Sequence, residues 1–233
     1  MKAFLLAAGF GTRLRPLTDT TPKCLVPIQG TPLLEWWLRL FEKHGITEVL
    51  INTHYLYEQV RDYIEKHNRA DNKVKLVEAY EPELLGSGGT VRANFDFVKD
   101  ESEFFICYAD NLTNINLTEM LQFHKEKQGL LTMGLFRANH PEQCGIAELD
   151  ENYKITSFIE KPEHPKGDLA NCGVYIAKPE IISRFPKREF LDFGKDVLPE
   201  LINDMYGWET KDYLVDIGTP ENYKRVQEEW REL

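Results

Sequence analysis

Two glycines, two arginines and a lysine crowd one short stretch of the chain. It reads Gly9-Phe10-Gly11-Thr12-Arg13-Leu14-Arg15-Pro16-Leu17-Thr18, followed by Pro22-Lys23, and it leaves directly from the apolar run Ala3 to Ala8. Glycines let a backbone approach an anion closely, so that successive N–H groups can point at phosphate oxygens. Arg13, Arg15 and Lys23 add the full charges that a polyphosphate needs. This is chemistry for a nucleotide. It is not a Walker loop, because no Gly-Lys-Ser or Gly-Lys-Thr string occurs anywhere in the chain. Nor is it a dinucleotide fingerprint, which starts at Gly9 and Gly11 but fails at Leu14.

Two acids stand at comparable places. Asp110 follows the apolar run Phe104 to Tyr108, and Asp216 lies in Val215-Asp216-Ile217-Gly218-Thr219-Pro220. A carboxylate at the end of a buried strand must be solvated, paired or bound to metal. Either alone could be a cap or a turn residue. Together beside a triphosphate they would hold Mg²⁺, a hard cation that takes carboxylate and phosphate oxygens.

The full string from Gly9 to Thr18, with its downstream Pro-Lys, resembles the signature of the sugar-1-phosphate nucleotidyltransferases, or nucleotide-sugar pyrophosphorylases. The resemblance runs from the first strand to Asp216 and is nearest in form to bacterial mannose-1-phosphate and manno-heptose-1-phosphate guanylyltransferases. It implies a nucleotide-binding set of Leu6, Ala8, Gly9, Gly11, Thr12, Arg13, Lys23 and Asp110. The glycine-rich turn Glu83-Leu84-Leu85-Gly86-Ser87-Gly88-Gly89 resembles the family segment that lies against the base, which adds Glu83, Leu85, Gly86 and Ser87. Its alternative is a plain flexible turn. Phe158-Ile159-Glu160-Lys161-Pro162, Asn171-Cys172-Gly173 and Gly145-Ile146-Ala147 resemble the sugar-phosphate motifs, so Gly145, Glu160, Lys161 and Asn171 are implied on that side. Glu160 and Lys161 could instead form a surface ion pair of under ~1 kcal/mol. Many family members have Gly-Asp where this chain has Ala109-Asp110-Asn111; Asn111 is placed with the sugar-phosphate set and its role left open.

The implied reaction is in-line attack of a sugar 1-phosphate on the α-phosphorus of an NTP, GTP first. Arg13, Lys23 and Lys161 would neutralise charge, and Asp110 and Asp216 would hold Mg²⁺. Rival substrates are a uridylyl or cytidylyl donor with glucose or N-acetylmuramate 1-phosphate, or an alcohol phosphate such as phosphocholine. The left-handed β-helix of longer pyrophosphorylases does not follow the last expected helix.

Bulk composition sets bounds. The chain has 233 residues, 42% hydrophobic and 28% charged, with a formal net charge of −10, which disfavours a nucleic-acid partner. No apolar stretch reaches the ~20 residues needed to span a bilayer. Cys24, Cys107, Cys144 and Cys172 form no Cys-x-x-Cys pair, so they read as reduced thiols of a cytoplasmic protein. The expected partners are small molecules, and a homodimer is compatible with the sequence.

Those residues need a scaffold. Strands over Ala3–Ala8, Glu48–Thr53, Lys73–Glu78 and Phe104–Tyr108 alternate with helices over Leu33–His44, Leu56–His67 and Thr90–Phe97. This βαβ rhythm predicts an α/β fold with a Rossmann-like, mixed but mostly parallel sheet flanked by helices. Further on come a helix (Asn116–Lys127), a strand (Leu130–Phe136), a hairpin (Gly145–Leu149 with Lys154–Glu160) and a strand (Ala170–Ala177). A helix over Phe193–Asp204, a strand over Tyr213–Ile217 and a helix over Pro220–Glu229 capped by Thr219 complete the pattern. One domain is expected over 1–233, with a nucleotide-binding half to about residue 112 and a sugar-phosphate half from about 113.

Overall fold

The computed structural model describes residues 1–231. It shows a mixed sheet flanked by helices, and the chain divides into two compact units. The first comprises Met1–Leu84, Cys107–Ile115 and the chain from Asp212 onward; the second comprises Leu85–Ile106 and Asn116–Lys211. No helix among the described residues is long and apolar enough to cross a membrane.

The first unit is built on parallel pairing. Strand Lys2–Leu6 lies beside Glu48–Thr53, which lies beside Lys75–Tyr80, with Leu6 opposite Asn52 and Thr53 opposite Tyr80. Phe4, Leu5, Leu50 and Ile51 are buried, as expected of strands covered on both faces. The first strand stops at Leu6 rather than running on to Ala8, because the Ala7 amide donates to the Asn52 side chain (2.7 Å) instead of to a neighbouring strand. Helix Leu33–Lys43 buries Leu34, Trp37, Leu38 and Phe41, the stripe that helical spacing marks out. Trp37 Nε1 donates to the Asn111 carbonyl (2.8 Å) and so fixes the short strand Asn111–Thr113. That strand pairs antiparallel with Leu214–Asp216, a ribbon that sets Asn111 opposite Asp216.

The second unit carries the antiparallel pairing. Strand Leu169–Ala177 pairs with Leu131–Arg137, and the hairpin Gly145–Leu149 with Ile155–Glu160 forms as expected. Met205–Glu209 adds a parallel strand beside Leu131–Arg137 where the sequence gives no strand signal. Gly207 explains both facts. It breaks the strand pattern, and a Cβ there would come within 2.5 Å of Leu135 Cδ1 and 2.7 Å of Leu149 Cδ2. The helix over Phe193–Asp204 is a correction: the structure has a π-turn over Phe193–Val197 and a 3-10 turn over Leu198–Leu201. Pro199 cannot donate an amide and crowds the preceding turn. The Asp196 carboxylate also accepts from the Asp192 amide (2.8 Å), a local bond that competes with helix. The helix placed at Thr90–Phe97 starts earlier, at Ser87, and ends at Ala93.

His124 is fully buried on helix Leu117–Lys127, with Nδ1 2.8 Å from Thr132 Oγ1 and Nε2 without a hydrogen-bond partner. Burial, with help from Lys178, lowers its pKa from 6.5 to about 4. An unfolded chain therefore takes up a proton that the native state refuses as pH falls below 6.5, and stability must fall across that window by roughly 3 kcal/mol. His124→Gln can keep a bond to Thr132 without titrating. Its urea midpoint should change less between pH 7 and pH 4.5 than that of the wild type; parallel declines would show that His124 carries none of the loss.

Candidate functional site

Four of the predicted residues meet in the first unit. Lys23, at the start of a 3-10 turn (Lys23–Leu25), places Nζ 2.9 Å from Asp110 Oδ2 and 3.1 Å from Asp216 Oδ1. Arg13 Nη2 lies 3.2 Å from Asp216 Oδ2. The lysine side chain is only 11% exposed, whereas Arg13 is 64% exposed, so one cation is built in and the other faces solvent. Asp110 is delivered by the Ala109 amide, which donates to Leu6 O (3.0 Å), and by Asp110 O, which accepts from the Ile217 amide (3.0 Å). Asp216 Oδ1 also accepts from the Gly218 amide (2.7 Å), and Asn222 Nδ2 donates to the Asp216 carbonyl (2.8 Å). Burial would raise the Asp216 pKa, but the charge and hydrogen bond of Lys23, the Arg13 charge and the Gly218 amide together hold it below 3.8.

The loop that precedes this cluster is set by side chains behind it. Gly11 has a left-handed backbone (φ +64°), its carbonyl accepts from Thr18 Oγ1 (2.7 Å), and a Cβ there would lie 2.9 Å from Thr18 Cγ2. Thr12 to Leu14 form a 3-10 turn, Gly9 has open space around it, and Phe10 is exposed with its ring 5.4 Å from that of His54. His54 Nδ1 is 2.7 Å from the Glu81 carbonyl, so that ring is held by packing and a backbone bond.

The second unit holds Gly145, Glu160, Lys161 and Asn171, while Asn111 belongs to the first. Burial, with Asp192, raises the pKa of Glu160, against the pull of Lys161 and Lys195. Gly145 gives that carboxylate room: a Cβ there would lie 2.6 Å from Glu160 Oε2 and 2.6 Å from Phe158 Cζ. Lys161 is exposed with φ +49°, a rare backbone for a non-glycine residue, and its amide donates to Cys144 O (3.0 Å). Asn171 Oδ1 accepts from the Gly173 amide (2.9 Å), and Nδ2 donates to the Tyr175 hydroxyl, across a break in strand register between Asn171 and Tyr175. A carboxamide has two acceptor and two donor sites, so one of each remains.

The turn at Leu85 to Gly89 is held tightly rather than loosely. Gly88 and Gly89 amides both donate to Leu191 O (2.9 and 3.1 Å), Leu85 O accepts from the Leu191 amide (2.9 Å), and Ser87 Oγ accepts from the Phe193 amide (2.8 Å). Gly86 has φ +77°, and a Cβ there would lie 2.3 Å from Leu191 O. Glu83, in the first unit, is exposed. Sequence reading passed over Gly218. It lies in the string Asp216-Ile217-Gly218-Thr219-Pro220 but was given no role of its own, yet a Cβ there would lie 2.7 Å from Arg13 Nη2, 2.8 Å from Asp216 Oδ1 and 3.0 Å from Lys23 Nζ.

Known proteins share this arrangement of chain. The protein-family model described as Nucleotidyl transferase matches residues 2–232. A UTP–glucose-1-phosphate uridylyltransferase of Synechocystis is 31% identical over 96% of this chain and 61% of its own length. A mannose-1-phosphate guanylyltransferase of Mycobacterium tuberculosis is 30% identical over 96% of this chain and 62% of its own. The chain thus spans about three-fifths of the length of these relatives. The crystal structure of HddC from Yersinia pseudotuberculosis superposes with a TM-score of 0.81 at 26% identity, covering 99% of both chains, and the same protein has been solved with GMP-PN.

The space at Gly218 is testable. Gly218→Ala inserts a methyl among three charged groups, one of them on the least exposed side chain of the cluster. The variant should melt within a few degrees of the wild type while its affinity for inorganic triphosphate, a polyanionic probe of the cationic cluster, falls at least ~10-fold, an effect of displaced charge rather than lost fold. Wild-type affinity in Gly218→Ala would show that the cluster tolerates the displacement.

Proposed function

Because the chain belongs to the nucleotidyl transferase family, we propose that it condenses an NTP with a sugar 1-phosphate to an NDP-sugar and pyrophosphate, using GTP and a mannose- or manno-heptose-type sugar. The observation that carries this reading is Lys23 held between Asp110 and Asp216 with Arg13 alongside. GTP is favoured by the guanylyltransferase relative and by the GMP-PN bound to HddC. The uridylyltransferase relative, at similar identity, supports UTP with glucose 1-phosphate as the second reading.

In this reaction an oxygen of the sugar phosphate attacks the α-phosphorus, the new P–O bond forms, and the bond to the β-phosphate breaks as pyrophosphate leaves. A phosphate monoester is already an anionic nucleophile, so no general base is needed. The protein's task is positioning and charge neutralisation. Leu6, Ala8, Gly9, Gly11 and Thr12 present the backbone that receives the triphosphate. Arg13 stabilises the departing pyrophosphate and Lys23 the α-phosphate, while Glu83, Leu85, Gly86 and Ser87 meet the base. Lys161 receives the sugar phosphate, and Gly145, Glu160, Asn171 and Asn111 its sugar side.

Asp110 and Asp216 fit Mg²⁺: their carboxylates already converge on one cationic nitrogen, and both offer the oxygen donors a hard cation takes. When bound there, the ion supplies Lewis-acid neutralisation of phosphate charge.

The deciding experiment is a matrix of the four NTPs against mannose, manno-heptose, glucose and N-acetylmuramate 1-phosphates and phosphocholine, scored by pyrophosphate release. Release with GTP and a manno-configured sugar phosphate is expected; release with phosphocholine alone overturns the sugar reading. In the same assay Lys23→Ala should lose ~100-fold or more in kcat with its circular dichroism intact. An undiminished rate removes Lys23 from the mechanism.

A further inference from the structure

In the second unit the stretch from Pro186 to Asp196 is strapped to the helix that follows the glycine-rich turn. Arg92, in the helix Ser87–Ala93, donates from Nη1 to Pro186 O (2.9 Å) and from Nη2 to Glu189 O (3.2 Å). A guanidinium carries its donors in a fixed planar fork, so one side chain can hold two carbonyls three residues apart. Pro186 O also accepts from the Arg188 amide (3.0 Å), which puts the Arg188 backbone on the same acceptor. Arg188 Nη1 then lies 3.0 Å from Asp196 Oδ1, and Asp196 Oδ2 accepts from the Asp192 amide (2.8 Å). The Asp196 side chain is only 20% exposed, so its charge needs a partner, and Arg188 supplies it. Asp192 Oδ1 in turn accepts from the Lys195 amide (2.9 Å). These links end beside Glu160. A Cβ at Gly194 would be in ordinary contact with Glu160 Oε2 (3.4 Å). Beyond burial and the adjacent Lys161, the charges of Asp192 and Lys195 both act on the Glu160 carboxyl.

We infer that Arg92 and Arg188 are positioning residues for the sugar-phosphate side: the relay Arg92–Arg188–Asp196–Asp192 sets where Asp192 and Lys195 stand beside Glu160. The inference rests on the reading that Glu160 meets the sugar, and it adds two residues to which that reading gives no role. Arg92 follows Gly89 by only three residues, yet its bonds lead away from the turn assigned to the base. That turn does not depend on it. The Gly88 and Gly89 amides and Leu85 O are tied to the Leu191 backbone, and Ser87 Oγ to the Phe193 amide. Leucine at 92 would leave those bonds in place while freeing the two carbonyls that fix Arg188. Leucine at 188 would leave Asp196 without its cation, whereas lysine there keeps a charge to pair with it.

The test measures KM and kcat for the full chain with GTP and mannose 1-phosphate, together with melting temperatures. Arg92→Leu and Arg188→Leu should each raise KM for mannose 1-phosphate about fivefold, the scale of one lost hydrogen bond, and leave KM for GTP within about twofold. Because both act through Arg188, the double variant should be no worse than the worse single one, whereas two independent losses would multiply. Arg188→Lys should keep both KM values within about twofold of the wild type. A purely structural role would instead lower the melting temperature and the active fraction without singling out one substrate. The inference is overturned if KM for GTP rises as much as that for the sugar phosphate, or if the variants use mannose 1-phosphate like the wild type. It is equally overturned if the single effects multiply in the double variant, or if Arg188→Lys matches Arg188→Leu. Should Arg92→Leu fail to fold, Arg188→Leu, at a side chain 66% exposed, decides alone: a wild-type KM for mannose 1-phosphate rejects the proposal. Failure of the functional reading is distinct, because there the wild type itself would release no pyrophosphate from this pair.

Discussion

The two acids of the first unit converge on a single ammonium group. Lys23 belongs to the stretch Met1–Leu84, Asp110 to Cys107–Ile115 and Asp216 to the chain from Asp212 onward, so one nitrogen draws together all three pieces of a discontinuous unit. Its partners are 87 and 193 residues away in sequence, contacts whose loop-closure entropy must be offset by much else. Without the lysine, two carboxylates would face one another with only Arg13 to compensate, and Arg13 is mostly solvated. The apolar framework supplies the offset: Trp37 on the strand that carries Asn111, Trp230 against Trp36, and the Thr219-capped last helix, whose Asn222 holds the Asp216 carbonyl. Packing therefore brings the acids together, and the ammonium makes that approach stable.

Around this point the fold separates rigid and exposed chemistry. Lys23, Asn52 and Glu81 are largely buried and held by bonds to residues fixed in turn by strands and turns. Arg13, Phe10 and Gly9 lie outward, open to solvent. The same division holds in the second unit, where a partly buried Glu160 sits beside an exposed Lys161 on a left-handed backbone.

Much of this was legible in the residues because the signals were local. The helix over Leu33–Lys43 declares itself by its apolar stripe, the strands Glu48–Thr53 and Phe104–Tyr108 by their apolar runs, and the last helix by Thr219 and Pro220. The pairing of Asp110 with Asp216 was suggested by two strand ends and a motif, and the structure does bring both acids to one ammonium. What escaped reading is non-local. Met205–Glu209 becomes a strand because Gly207 fits between Leu135 and Leu149, a fact about two other strands. The helical pattern over Phe193–Asp204 yields to Pro199 and to the Asp196 carboxylate acting on Asp192. Asn52 looks like any strand-end polar residue until its bonds to the Ala7 amide and to Glu81 are known.

Glycine has two separate physical uses here, and telling them apart sharpens how such a chain is read. At Gly11 and Gly86 the backbone itself is left-handed, so the residue type follows from φ. At Gly145 and Gly218 φ is ordinary, and the missing Cβ is space occupied by other groups: Glu160 Oε2 and the Phe158 ring at the first, Arg13, Asp216 and Lys23 at the second. A substitution of the first kind strains the backbone and should register as lost stability. One of the second kind pushes a charged atom away from its partners while the backbone stays comfortable, so its signature is lost chemistry on an intact fold. Gly218, flanked by a strand-end acid and a capped helix, belongs to the second kind. That places it among the residues through which this chain would handle phosphate, though it carries no functional group of its own.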